Sequence, residues 1–144
     1  MDQYYENLRI ISGSEVEPRE VDWLWYPYIP YGKVTIVQGD PGEGKSTFVL
    51  NLAAMLTTGT PLPYSDEEYE PMNVIYQNTE DDAEDTVVPR FINAGGDLNR
   101  IFFIDERSRA LSFADDRIGE TIRRTSAKLI IFDPFASSLT SSNN

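Results

Sequence analysis

Residues 39–47 read GDPGEGKST, three glycines and a proline in a short loop, followed at once by a lysine and two hydroxyls. The spacing Gly39-x-x-x-x-Gly44-Lys45-Ser46 suits the chemistry of holding phosphate. Glycines at 39, 42 and 44 open backbone conformations closed to other residues and let a phosphate come close to the main chain. Along the loop of Asp40, Pro41, Gly42, Glu43 and Gly44 and on to Thr47, the N–H groups, of which proline has none, can then point inward as an anion nest at a helix N-terminus. Lys45 supplies a positive charge for the β- and γ-phosphates, Ser46 a hydroxyl for Mg²⁺, and Thr47 a contact to the α-phosphate. A helix-entry turn with a solvated lysine is the plain alternative.

A phosphate-bound Mg²⁺ needs a second protein partner, and an aspartate ending a buried strand on the same side of the sheet can serve. LIIFD, at 129–133, supplies Asp133; an acid capping the turn at Pro134 is the other reading. Hydrolysis also needs a group that orients or deprotonates water. Asp133 is followed by proline and not by glutamate, so that group must come from elsewhere. Glu80 stands at the carboxyl end of another expected strand, where ligands of open α/β sheets gather. The acids of EDDAED would suit a helix N-terminus equally well, so both roles stay open for Glu80 on these grounds.

The elements that must position these groups follow from hydrophobic period. VTIVQ (34–38) reads as a buried strand and KSTFVLNLAAML (45–56) as a helix, with Val49, Leu52, Ala53 and Leu56 on one face. Gly59 and Pro61 end that helix. NVIYQNT (73–79) is a second strand. The helix begun by EDDAED is kinked or restarted by Pro89 and stopped by Gly95-Gly96. RIFFI (100–104) is a third strand, residues 112–127 a third helix with Ile118 and Ile122 one turn apart, and KLIIFD (128–133) a fourth strand. Apolar strands alternating with helices predict an α/β fold with a parallel sheet covered on both faces. Residues 1–20 read as a loose polar arm, and residues 21–33, crowded with aromatics between prolines, as an extended lead-in that lays rings on a core. For Trp23, Trp25, Tyr26, Tyr28 and Tyr31, packing is favoured over base stacking.

Composition narrows the chemistry. The 144 residues leave room for one domain, and they include no cysteine and no histidine. Disulfides, thiolate metal sites, cysteine nucleophiles and a Ser-His-Asp triad are excluded. The net charge of −12 argues against a simple DNA-binding module, because such binding draws on lysine and arginine. The N-terminus lacks the pattern of a signal peptide, and no apolar run approaches the roughly 20 residues of a membrane span. A cytoplasmic protein is expected, with no membrane partner.

Taken together, WLWYPYIPYGKVTIVQGDPGEGKST, NTEDDAEDTVVPRFINAGGDLNRI and LIIFDPF resemble the RecA-like P-loop ATPases of the RepA type, relatives of the hexameric DnaB-type helicases. The resemblance covers residues 21–137 and implies a P-loop NTPase fold with a RecA-like parallel sheet, incomplete at its C-terminus. It implies ATP and Mg²⁺ as cofactors, ATP and ADP as ligands, Glu80 as the residue that activates water, Asp133 as the magnesium-associated acid, and Lys45 and Ser46 as the P-loop pair. Asp81 and Arg90 lie in matching stretches without an assigned role. A homo-oligomeric ring, a hexamer in the parent, and single-stranded DNA bound through a further C-terminal half are implied as partners. Members of this family continue past the Asp133 strand, and their next strand inserts between the P-loop strand and the Asp133 strand. The sequence is therefore expected to be the N-terminal part, residues 21–144, of such a domain. Two alternatives remain: a nucleotide-binding structural or regulatory module without turnover, and a P-loop small-molecule kinase.

Overall fold

The computed structural model describes residues 5–40, 44–78 and 83–133, with the side chain of Glu84 excepted. Pro41, Gly42, Glu43, Glu80, Asp81 and the tail from Pro134 lie outside the described residues. Compactness divides the chain into Met1–Thr35 and Ile36–Asn144.

In the second unit the helix after the glycine loop is α1, Lys45–Thr58. Its burial exceeds a single stripe: Leu50, Leu52, Ala53, Ala54, Leu56 and Thr57 are all buried, and Val49 is half-buried. Gly59 ends it in the left-handed conformation at φ 71°, and its N–H donates to the Met55 carbonyl. A Cβ there would also lie 3.2 Å from both Pro71 and the Tyr69 carbonyl, a tight contact, so glycine is favoured by conformation and by space.

The sheet is built on β3, Val74–Asn78. Val74, Ile75 and Tyr76 are fully buried, as befits a central strand. It pairs in parallel with β4, Ile101–Phe102, on one side and with β5, Leu129–Asp133, on the other. The order β4-β3-β5 requires the chain to cross β3 between β4 and β5. The connection carries α3, Asp116–Thr125. Register is pinned at the amino ends by Asn73, which accepts from Arg100 Nη1 at 3.0 Å and donates to the Thr125 carbonyl at 2.6 Å. The ladder of β4 is shorter than the apolar run 100–104 because a side chain takes it over. The Ile104 N–H donates to Gln77 Oε1 at 2.5 Å, and Gln77 Nε2 donates back to the Ile104 carbonyl at 3.1 Å.

One expected strand is absent from the sheet. Residues 34–38 join no ladder, and Val34, Ile36 and Val37 are 79, 56 and 45 % exposed. A β-branched run becomes a strand only when a neighbour takes up its N–H and C=O groups, and no described strand does so. The proline in the next helix acts as foreseen. A wide, i→i+5 bonded turn over Ala83–Val87 leads into α2, Val88–Asn93, with Pro89 in its first turn, where the missing N–H costs least. α2 packs against α1, which also meets β3.

The first unit holds one irregular hairpin, β1 (Trp23–Trp25) with β2 (Ile29–Pro30), closed by a cis Tyr26–Pro27 bond. Trp25 is buried, as expected of a lead-in that lays rings on a core, but Tyr26, Tyr28 and Tyr31 are exposed. The rings pack against each other, Trp23 edge-on to Tyr26 at 5.1 Å and Trp25 tilted against Tyr28 at 4.6 Å.

Two predictions follow from this packing. A Cβ at Gly96 would lie 2.2 Å from the fully buried Phe91 ring, which has no room to swing. Gly96→Ala is expected to lower the free energy of unfolding by about 1–3 kcal/mol in urea titration, and Phe91→Leu in the same chain to recover part of it. The second concerns the start of α3, where Asp115 (side chain 6 % exposed) accepts from the Arg117 backbone N–H at 2.9 Å and pairs with its guanidinium at 2.7 Å. Arg117 also donates to the carbonyls of Asp105, Arg109 and Ala110, tying down the loop before α3. Hydrogen bonds from the Arg117 side chain and then its backbone hold the Asp115 carboxyl down at about 2. A depressed carboxyl stabilises the fold above its unfolded value of about 4 and loses that contribution as pH falls towards 2. The urea midpoint should therefore fall between pH 4 and pH 2, and in Asp115→Asn it should start lower at pH 7 and fall less across that window.

Candidate functional site

The carboxyl end of the sheet and the start of α1 meet at one hydrogen bond. Ser46, the second residue of α1, donates its hydroxyl to Asp133 Oδ2 at 2.7 Å. Asp133 is the last residue of β5 and pairs in register with Asn78, the last of β3, so both strands end at the same level. Eighty-seven residues of chain separate the partners, and a bond this short to a carboxylate is of the stronger, charge-assisted kind. The Ser46 hydroxyl is the donor in this bond, which leaves its oxygen lone pairs for a cation.

The start of α1 is arranged unlike that of α3. The helix is entered through Gly44 at φ 84°, a left-handed conformation that glycine adopts without cost, and no side chain caps it. The first i→i−4 bond runs from the Phe48 N–H to the Gly44 carbonyl at 2.9 Å, so the N–H groups of Lys45, Ser46 and Thr47 precede the helix's own ladder. No acid stands in this first turn, whereas α3 has Asp115 as its cap and Asp116 after it. The positive end of the α1 dipole is thus left to other anions, of which Asp133 is one.

Lys45 is half-buried, and its ammonium donates to the Gly39 carbonyl at 2.5 Å, folding back across the loop. Gly39 is half-buried and Asp40 exposed. Thr47 is exposed, and its carbonyl accepts from Asn51 Nδ2 at 2.9 Å. The described part of the loop therefore brings Gly39, Gly44, Lys45, Ser46 and Asp133 together. Pro41, Gly42, Glu43 and Glu80 lie outside the described residues; Glu80 follows the end of β3 by two positions in sequence. Arg90 is exposed on α2.

These groups fit a nucleotide with its cation. An uncapped helix start suits phosphate, the lysine adds charge, and the serine–aspartate pair offers hard oxygens. Among the described residues no cluster of three or more histidine, cysteine or acidic side chains could hold a metal by itself. Mg²⁺ carried on phosphate asks for only one or two protein oxygens, which matches this donor set.

Sequence reasoning passed over Tyr76. Its hydroxyl donates to the same Asp133 Oδ2 at 2.8 Å. The available signal was a tyrosine within an otherwise apolar strand start, since a buried tyrosine hydroxyl normally finds a partner.

No helix among the described residues is long and apolar enough to cross a membrane. No curated protein and no solved structure matches the chain. A family model described as an AAA domain matches residues 5–144. That match runs over nearly the whole sequence, across the glycine loop and the aspartate its serine meets, and the chain belongs to this family of AAA-type P-loop nucleotide-binding ATPases.

Proposed function

We propose that the chain is the ATP-binding core of a Mg²⁺-dependent ATPase of the RepA/DnaB-like kind, RecA-like in fold from residue 21 onward. The observation that carries the proposal is the Ser46–Asp133 hydrogen bond, which joins the phosphate-binding loop to a strand-end acid. Lys45 and the backbone of residues 40–47 hold the phosphates, and Lys45 exchanges its bond to the Gly39 carbonyl for one to phosphate. Ser46 and Asp133 would hold Mg²⁺, which when bound would supply charge neutralisation at the phosphoryl group. Glu80 takes the proton of the attacking water, a role that rests on the resemblance of NTED to the corresponding strand end in that family.

The wider assignment rests on the same resemblance. In it, ATP hydrolysis serves DNA replication or recombination, a ring of like subunits completes each site, and single-stranded DNA is the partner. The protein then works in the cytoplasm. A small-molecule kinase is disfavoured by its arginines. Arg123 and Arg124, the adjacent pair, are both committed to Glu120, at 2.6 and 2.9 Å, as a helix-surface cluster and not as a lid.

Calorimetry with Mg²⁺-ATP, followed by phosphate release, tests the reading. Lys45→Ala is expected to weaken ATP binding by about 10- to 100-fold, as for loss of a hydrogen bond to a charged group. Glu80→Gln is expected to keep binding and lower turnover by roughly 10²- to 10⁴-fold. Tight binding with no turnover in the unsubstituted chain, unchanged by Glu80→Gln, would instead favour a nucleotide-binding module.

A further inference from the structure

We infer that Tyr76 is a positioning residue for the metal-associated aspartate, an inference that rests on the nucleotide–cation site just described. Tyr76 lies on the central strand β3 and is fully buried. Its register partner on β5 is Ile131, and Asp133 is two residues further on. Side chains two apart on a strand share a face, so Asp133 is the diagonal neighbour of Tyr76, a separation that a long aromatic side chain spans. The tyrosine hydroxyl donates to Asp133 Oδ2 at 2.8 Å, and the Ser46 hydroxyl donates to the same oxygen at 2.7 Å.

Two donors on one oxygen do what one cannot. A single hydrogen bond leaves a carboxylate free to turn about its Cβ–Cγ bond. Donors arriving from two different elements, α1 and β3, fix that rotation. They also concentrate on Oδ2 the protein's demand for an acceptor. Oδ1 accepts no hydrogen bond among the described residues, and its lone pairs remain for a cation or the cation's water. Because the Tyr76 ring is buried in the sheet, its position is set by the core and not by the ligand. The metal-side geometry is thereby prepared before the nucleotide arrives, which lowers the cost of ordering it on binding.

The test separates this role from simple packing. Tyr76→Phe keeps the ring and removes the donor. Mn²⁺ binding at saturating ADP is read by electron paramagnetic resonance, and ADP binding without metal by calorimetry. Metal-free ADP affinity is expected to stay within about twofold, while Mn²⁺ affinity falls roughly fivefold, a modest share of one hydrogen bond to a charged group. Placing 4-aminophenylalanine at position 76 restores a donor on the same ring atom and is expected to recover the Mn²⁺ affinity. Unchanged Mn²⁺ affinity in folded Tyr76→Phe would overturn the inference. So would a Tyr76→Phe chain that loses its fold by circular dichroism, because the hydroxyl would then support the sheet itself. If nucleotide fails to raise Mn²⁺ affinity even in the unsubstituted chain, the site reading fails first and the inference falls with it.

Discussion

The bond between Ser46 and Asp133 is the constraint on which the functional arrangement depends. It fastens the first turn of α1 to the end of β5 across 87 residues of sequence. Its partners can meet only if three conditions hold. α1 must start at Gly44, β5 must end level with β3, and the chain must cross β3 so that β5 pairs with it. The first condition depends on a left-handed glycine. The second depends on register, which Asn73 secures at the other end of the sheet through Arg100 and Thr125. The third depends on the β4–α3–β5 connection, whose loop Arg117 holds through three carbonyls. Residues far from the glycine loop therefore decide whether its serine finds its acid.

The same packing anchors one side of the candidate site. α1 is buried well beyond a single stripe, and it rests on α2 and β3. Thr57 near its end accepts from the Asp97 N–H at 3.1 Å, which links the helix to the turn that precedes β4. Phe91 fills the space under Gly96 so closely that no side chain fits there. The glycines at 44, 59 and 96 thus serve three different needs: helix entry, helix exit and ring clearance.

Much of this was legible in the sequence because the relevant signals are local. The glycine loop, the helix after it, Gly59 as its stop and Pro89 as the start of a short helix all depend on residues within a turn or two of each other. The apolar run ending in Asp133 likewise announced a strand with an acid at its carboxyl end. What could not be read depends on partners distant in sequence. Residues 34–38 have a strand's composition but pair with nothing described, and composition carries no information about a neighbour's edge. β4 is cut short because Gln77 replaces part of its ladder with a side chain, and no periodicity reports such an exchange. Tyr76 was passed over within the run 73–79, and only the strand register brings its hydroxyl to Asp133.

The most direct measurement is a double-mutant cycle on Ser46 and Asp133, with Mg²⁺-ATP affinity as the readout. Ser46→Ala, Asp133→Asn and the double substitution would be compared with the unsubstituted chain by calorimetry. If the two side chains act as one cation-holding unit, their losses will be strongly non-additive, with a coupling of about 1–3 kcal/mol. Additive losses, with coupling within about 0.5 kcal/mol of zero, would contradict the account, because serine and aspartate would then contribute separately and their hydrogen bond would be incidental to nucleotide binding.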